Sequence, residues 1–387
     1  MDPSYLDHLE PFQKEQFSQL AGLLGGYFEG SKTGEGSRAL NLSSADYDAE
    51  AFRTFQRAML SGASVVKVPR AQVLQRSVLI TLVSGFESLL TDLAQFAIRL
   101  NPRLVNLDEV KISLLDLKTL GSITEATERL ISEQVDALSR GTIDDQIKWF
   151  DRLGIETKSI ASDWLAFREP FARRNLLVHT SSKVNGTYVK SLRAAGAESK
   201  MLPTIGEALR TDEDYLEKAC NHLLAAGVCL VQRVWAKLFT QDAQGATAWT
   251  LRTIDHALEE GFDVACLLLA DTVFGAKKPP LALVDSLRLK ISTWTARVRL
   301  GFGAEVANEA GAWDVRGIDR RYSHTRLLFT GQYEAAMADI KILIATRRLA
   351  KIDVLLDPVY QGLRESLGER LKSELAGVNI AGEEPVA

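Results

Sequence analysis

Cysteine is scarce in this chain: Cys220, Cys229 and Cys266 are the only three among 387 residues. They stand far apart in apolar helical runs and form no Cys-x-x-Cys pair. An odd number also argues against a disulfide framework, so a reducing compartment is expected. Long apolar runs are missing too. The longest, 79–83 and 223–231, fall well short of the ~20 residues that cross a bilayer. The opening MDPSYLDHLEPFQ is acidic and lacks the basic-then-apolar order of a secretion signal. These absences predict a soluble cytoplasmic protein without a membrane role. Positive charge is not in excess either. The 46 Lys and Arg face 50 Asp and Glu, a net charge of −4, so any nucleic-acid binding must come from a local patch.

Ligand and nucleophile motifs are equally thin. The five histidines, His8, His179, His222, His256 and His324, make no HxxxH or HExxH pair, and the cysteines offer no thiolate cluster. No metal and no cofactor is expected. Neither a GxSxG elbow nor a kinase set of motifs occurs. Residues 26–33, GYFEGSKT, nearly match a phosphate-binding loop, but Ser31 stands where the second glycine belongs and no strand precedes it. Nucleotide binding is not expected there.

Helical periodicity is what the chain has in abundance, with no run of alternating β-branched residues, so the fold is expected to be all-α. At 46% hydrophobic and 25% charged it has the composition of an ordinary globular protein, long enough for two or three domains. Residues 9–28 form an amphipathic helix with Phe12, Phe17, Leu20, Leu24 and Phe28 on its apolar side, and a Gly- and Ser-rich connector leads to a short helix over 50–60. A long helix over 71–100 is apolar enough to lie in the middle of a bundle, and Asn101-Pro102 ends it. Helices are expected over 108–118, 123–139, 143–152 (closed by Gly154), 160–180 and 212–239, with Asn185-Gly186 as a turn. TQDAQG, 240–245, reads as a linker. Beyond it, helices of about 12 to 20 residues are broken at 275–276, 279–280, 311, 331 and 357–358, like helix pairs of a solenoid but without a strict period. The expected divisions are an arm and connector over 1–65, a bundle over 66–240, a helical-repeat-like domain over 241–376 and a frayed tail over 377–387.

The stretch RRNLLVHTSSKVNGTY, 173–188, sets two arginines, an asparagine and a histidine at the end of a helix. With Trp164 at zero on a wheel stepping 100° per residue, Phe167, Phe171 and Val178 fall at about 300°, 340° and 320°, the expected buried face. Asn175 falls at about 20°, inside that face, Arg174 and His179 border it at about 280° and 60°, and Arg173 points to solvent at about 180°. A buried asparagine needs a partner. A histidine at a helix C-terminus is favoured in its charged form by the dipole. Arg168, Arg173, Arg174, Lys183, Lys190 and Arg193 stand against a single acid, Glu169, over 165–193. That is a local basic patch of the kind phosphate binding requires.

The string Arg174-Asn175-Leu-Leu-Val-His179 resembles the R-x4-H signature of the HEPN superfamily. The likeness extends over about 70–240: a long apolar helix with Phe86-Glu87, a short helix before Leu153-Gly154, the motif helix, an Asn-Gly turn reaching Tyr188, and a long closing helix. Thr180 departs from the pattern, since relatives often carry Asn after the histidine. The resemblance implies a metal-independent endoribonuclease working at a dimer interface, often in bacterial defence or toxin–antitoxin systems, and leaving 2′,3′-cyclic phosphate ends. In that reading His179 serves as general acid or base near neutral pH. The permanently charged, forked Arg174 steadies the phosphorane oxygens. Asn175 orients the phosphate or the histidine, Glu87 tethers Arg174 or Arg173, and Arg173 and Tyr188 support the site. Arg168, Lys183, Lys190 and Arg193 would hold the RNA.

Arg174 and His179 diverge by about 140° on the wheel. Two motif helices meeting across a homodimer axis would supply both groups to one phosphate. The same residues also suit a non-catalytic module that binds RNA or pins a dimer, with the C-terminal helices holding a regulatory protein.

Overall fold

The computed structural model describes residues 70–104, 113–180, 182–275 and 281–378. By its internal contacts the chain divides into two units, Met1–Leu74 and Gln75–Ala387, and nearly all described residues belong to the second. The helices expected over 9–28 and 50–60, the near-match at 26–33 and residues 108–112 lie outside the described residues, as do 379–387. The protein is all-α. Among the described residues there is no strand, only an isolated antiparallel bridge between Lys183 and Ala208.

Helix α1, Arg70–Leu100, carries Leu79, Val83, Phe86, Leu90, Ala94, Ala97 and Ile98 as one buried stripe at helical spacing. After it come α2, Leu114–Leu120, α3, Ile123–Ser139, and α4, Ile143–Trp149. A reciprocal capping box between Thr142 and Asp145 starts α4. A 3-10 turn over Phe150–Leu153 then ends at Gly154, whose φ of 68° is left-handed, the conformation glycine adopts without penalty. Helix α5, Trp164–His179, is capped by Asp163, and α6 spans Gly186–Ala194. Helix α7, Glu213–Leu238, is buried along most of its length. At its middle Gly227 lies so close to α1 that a Cβ would stand 3.1 Å from Leu89.

Helices α8, Ala243–Glu259, α9, Asp263–Phe274, and α10, Leu283–Arg299, follow. Residues 240–245 are not an open linker. Asp242 caps α8 through the Gly245 N–H and accepts a hydrogen bond from the Trp235 indole at 3.1 Å. Nor does the core stop there. Phe86, Phe150, Phe167, Phe171, Leu223 and Leu230 share one buried cluster with Ile254, Cys266, Leu269 and Ala296. By length and composition α1 is the one described helix that could cross a membrane. Its stripe from Leu79 to Ala94 packs into this cluster and Ile98 packs against Ile131 and Val135 of α3, while Val73, Leu74, Val78, Phe96 and Leu100 remain exposed.

The remaining helices are α11, Gly303–Ala312, the short α12, Arg320–Ser323, and α13, Thr325–Phe329, then α14, Tyr333–Ala345. Three more, α15, Lys351–Leu356, α16, Gln361–Leu367, and α17, Glu369–Ala376, complete the chain's described part. Gly311 lies inside α11 rather than breaking it. The same turn closes three helix pairs. Gly261, Gly301 and Gly331 take left-handed φ values of 85°, 94° and 71°. In each, the next residue's N–H bonds back to a carbonyl five residues earlier: Phe262 to Ala257, Phe302 to Arg297, Gln332 to Leu327. That is the Schellman way of ending a helix, for which glycine is the natural residue.

Candidate functional site

Helix α5 is buried on two sides, not one. Phe167 and Phe171 enter the main core, where their rings meet Phe86 edge-on at centroid distances of 5.4 and 5.7 Å. Such contacts add about 0.5–1.5 kcal/mol each beyond area burial. Leu165, Ala172 and Leu176 face the other way, into a second cluster with Val184, Tyr188 and Leu192 from α6 and its approach. A single-faced wheel cannot describe such a helix.

Four placements change. Arg173, expected in solvent, is half-buried because α6 and α7 cover that side. Its Nε donates to Glu169 at 2.6 Å, Nη1 donates to the Arg210 carbonyl at 2.6 Å, and the guanidinium lies 3.8 Å from the Tyr215 ring centre. Asn175 and Val178, expected on the buried face, are exposed, because the last turn of α5 runs beyond the aromatic cluster that covers Phe171. Arg168, expected to hold RNA, is buried against Asp144 at 2.5 Å. The basic patch thus shrinks to the exposed Lys183, Lys190 and Arg193 beside the partly exposed Arg174.

Arg174 and Glu87 do come together, in an ion pair that ties α5 to α1. Their side chains are 25% and 27% exposed, so the guanidinium is held by a partner yet still reaches solvent. Its Nε is buried without a hydrogen-bond partner. His179 is exposed in the last turn of α5. The Thr180 hydroxyl donates back to the carbonyls of Leu176 and Lys183, at 3.1 and 2.9 Å, and closes the helix end. Asn185 is not a turn residue here but the N-cap of α6, accepting from the Tyr188 N–H at 2.9 Å. On one end of α5 the fold thus gathers a tethered arginine, an exposed asparagine and an exposed histidine. Among the described residues no three His, Cys, Asp or Glu side chains converge as a metal site requires. Comparison with protein-family models, with curated proteins and with solved structures returns no match.

Sequence reasoning missed the group that organises this end of the molecule. Glu169 accepts from Tyr188 Oη at 2.5 Å, Tyr215 Oη at 2.5 Å and Arg173 Nε at 2.6 Å. One carboxylate thereby joins α5, α6 and α7. The signal was the spacing of four between Glu169 and Arg173, a helical ion-pair distance. Burial, and then the Glu169 charge, push the Tyr188 and Tyr215 phenols well above their ordinary value of 10.0. A phenol with a raised folded pKa contributes stability that is complete below pH 10 and is lost as pH rises beyond it, because the unfolded chain releases the proton first. The urea midpoint should accordingly fall steadily above pH 10. Tyr188→Phe and Tyr215→Phe together should flatten that fall, and an unchanged slope in the double variant would show that other groups cause it.

Proposed function

We propose that the protein is a HEPN-like, metal-independent endoribonuclease, with the bundle of α1 to α7 carrying the site and the C-terminal helices holding a regulatory partner. The observation that carries this reading is the disposition of the Arg174-x4-His179 pair. Glu87 orients the arginine at the protein surface, and the histidine stands free at the helix end. In-line attack by a ribose 2′-hydroxyl needs a base for its proton, an acid for the leaving 5′-oxygen and positive charge on the phosphorane. His179 takes the proton roles, Arg174 the phosphorane oxygens, and the exposed Asn175 a non-bridging oxygen. Lys183, Lys190 and Arg193, all exposed, extend the positive surface along the incoming strand. A homodimer places a second α5 opposite the first. Bacterial defence or toxin–antitoxin action is the setting in which such an activity is used.

The test is end-group analysis of RNA incubated with the purified chain in EDTA. Products with 2′,3′-cyclic phosphate ends, formed at the same rate with and without chelator, support the reading. Inhibition by EDTA that added divalent metal reverses would overturn it. The second reading is an RNA-binding module without turnover. It is favoured if RNA binds at the α5 end and no new ends appear.

A further inference from the structure

Far along the chain from α5, four arginines stand at the start of α12, Arg320 and Arg321, and in the turn after α14, Arg347 and Arg348. Asp319 pairs with Arg321 at 3.3 Å and with Arg348, drawing these two turns together. Arg320 reaches Asp339 of α14 at 3.5 Å. Arg347 precedes Arg348 and makes no ion pair among the described residues. All four are exposed, so three guanidinium groups share the carboxylates of Asp319 and Asp339 and the fourth, on Arg347, pairs with neither, in a chain whose net charge is −4. The partly exposed Tyr322 ring sits 5.7 Å from the Arg321 guanidinium carbon. The base of the cluster is rigid. The His324 Nδ1–H donates to the Arg320 carbonyl at 2.9 Å, which leaves its Nε2 to accept from Tyr360 Oη at 3.0 Å.

One feature of this cluster runs against backbone preference. Arg347 has a left-handed φ of 56°. Its N–H bonds to the Ile344 carbonyl and the Arg348 N–H to the Leu343 carbonyl. This is the turn that Gly196, Gly261, Gly301 and Gly331 make elsewhere in the chain, with the matching pair of bonds at each. At four positions the residue is glycine, which adopts the conformation freely, and here it is an arginine, which does not. A left-handed arginine where glycine would be free of strain is a reason to look for a use of its exposed side chain.

We infer that Arg320, Arg321, Arg347 and Arg348 form a binding surface for the phosphodiester backbone of single-stranded RNA, with Tyr322 as a stacking face for a base. Guanidinium groups bind phosphate oxygens in a forked geometry, and aromatic rings beside them accept bases without regard to sequence. A surface spread over two turns suits an extended polyanion. It lies outside the α5 site and does not depend on that site being catalytic.

The test uses the full chain carrying His179→Ala, so that RNA stays intact, and a fluorescein-labelled uridine homopolymer read by anisotropy. Arg347→Gly removes the charge and places glycine where the backbone favours it. Affinity should drop several-fold, the slope of log Kd against log salt should flatten by about 0.7 for one lost phosphate contact, and the melting temperature should hold or rise. The double variant Arg320→Gln with Arg321→Gln should weaken binding further. Undetectable RNA binding, or affinity and salt slope unchanged in both variants, overturns the inference. So does loss of binding to phosphatidylserine vesicles with RNA binding intact. Absence of cleavage in the wild type would count against the α5 reading alone.

Discussion

Changing His179 to alanine is expected to lower RNA cleavage by about 10²–10⁴-fold, the range for loss of a general acid or base. The fold should survive. The His179 side chain is exposed and makes no hydrogen bond among the described residues, so circular dichroism and melting temperature should stay as in the wild type. Arg174→Ala should cost about 10²–10³-fold through loss of charge stabilisation on the phosphorane. Its effect on stability should be no more than about 1 kcal/mol, because the pair with Glu87 is partly solvated. Glu87→Gln should lie between, since it keeps the guanidinium and removes its tether. Mixing Arg174→Ala with His179→Ala subunits then asks where each site draws its groups. Recovery of activity in the mixture shows that one site uses the arginine of one subunit and the histidine of the other. Wild-type rates from His179→Ala protein would remove the histidine from the mechanism.

Glu169→Ala should be the most destabilising single change at this end of the molecule. It strips three donors, Tyr188 Oη, Tyr215 Oη and Arg173 Nε, of their shared acceptor. The Glu169 and Arg173 side chains are only 16% and 15% exposed, so Arg173 is left charged in a mostly dry place. Breaking a buried pair from one side costs about 3–5 kcal/mol, a fall in melting temperature of roughly 5–8 °C for a unit of this size. Arg173→Ala should follow the same direction and should exceed Arg174→Ala in its effect on stability, though the two residues are neighbours. Glu169→Gln should recover part of the loss, because an amide oxygen still accepts from one tyrosine. If Arg173→Ala melts as the wild type does, the carboxylate is not the joint between α5, α6 and α7.

Helix positions were legible where one face of a helix meets the core. The expected helix over 123–139 is observed as Ile123–Ser139, and those over 71–100 and 212–239 as Arg70–Leu100 and Glu213–Leu238. Legibility failed where a helix is covered from two directions. For α5 the wheel located Phe167 and Phe171, then misassigned Arg173, which α6 and α7 cover, and Asn175 and Val178, which lie on a last turn that runs beyond the aromatic cluster. Helix α6 itself was hidden, since Asn185-Gly186 suits a turn and an N-cap equally well. Of the candidate site, Glu87 was readable only as a tether of Arg174 or Arg173, and the pair formed is with Arg174. The Glu169 network was not readable, because two of its four members are tyrosines 19 and 46 residues away.

The core that passes unbroken from α5 through α7 into α8, α9 and α10 has a consequence for descent. A segment carrying the Arg174–His179 helix cannot be exchanged between proteins by a cut near residue 240, because the cut would strand Leu230, Ile254 and Leu269 without their neighbours. Recombination must move both stretches together or neither. The turns at Gly261, Gly301 and Gly331 are different. Each closes one hairpin of helices at the surface, so a residue added at one of these glycines should disturb that turn and leave the packing of Leu230, Ile254 and Leu269 in place.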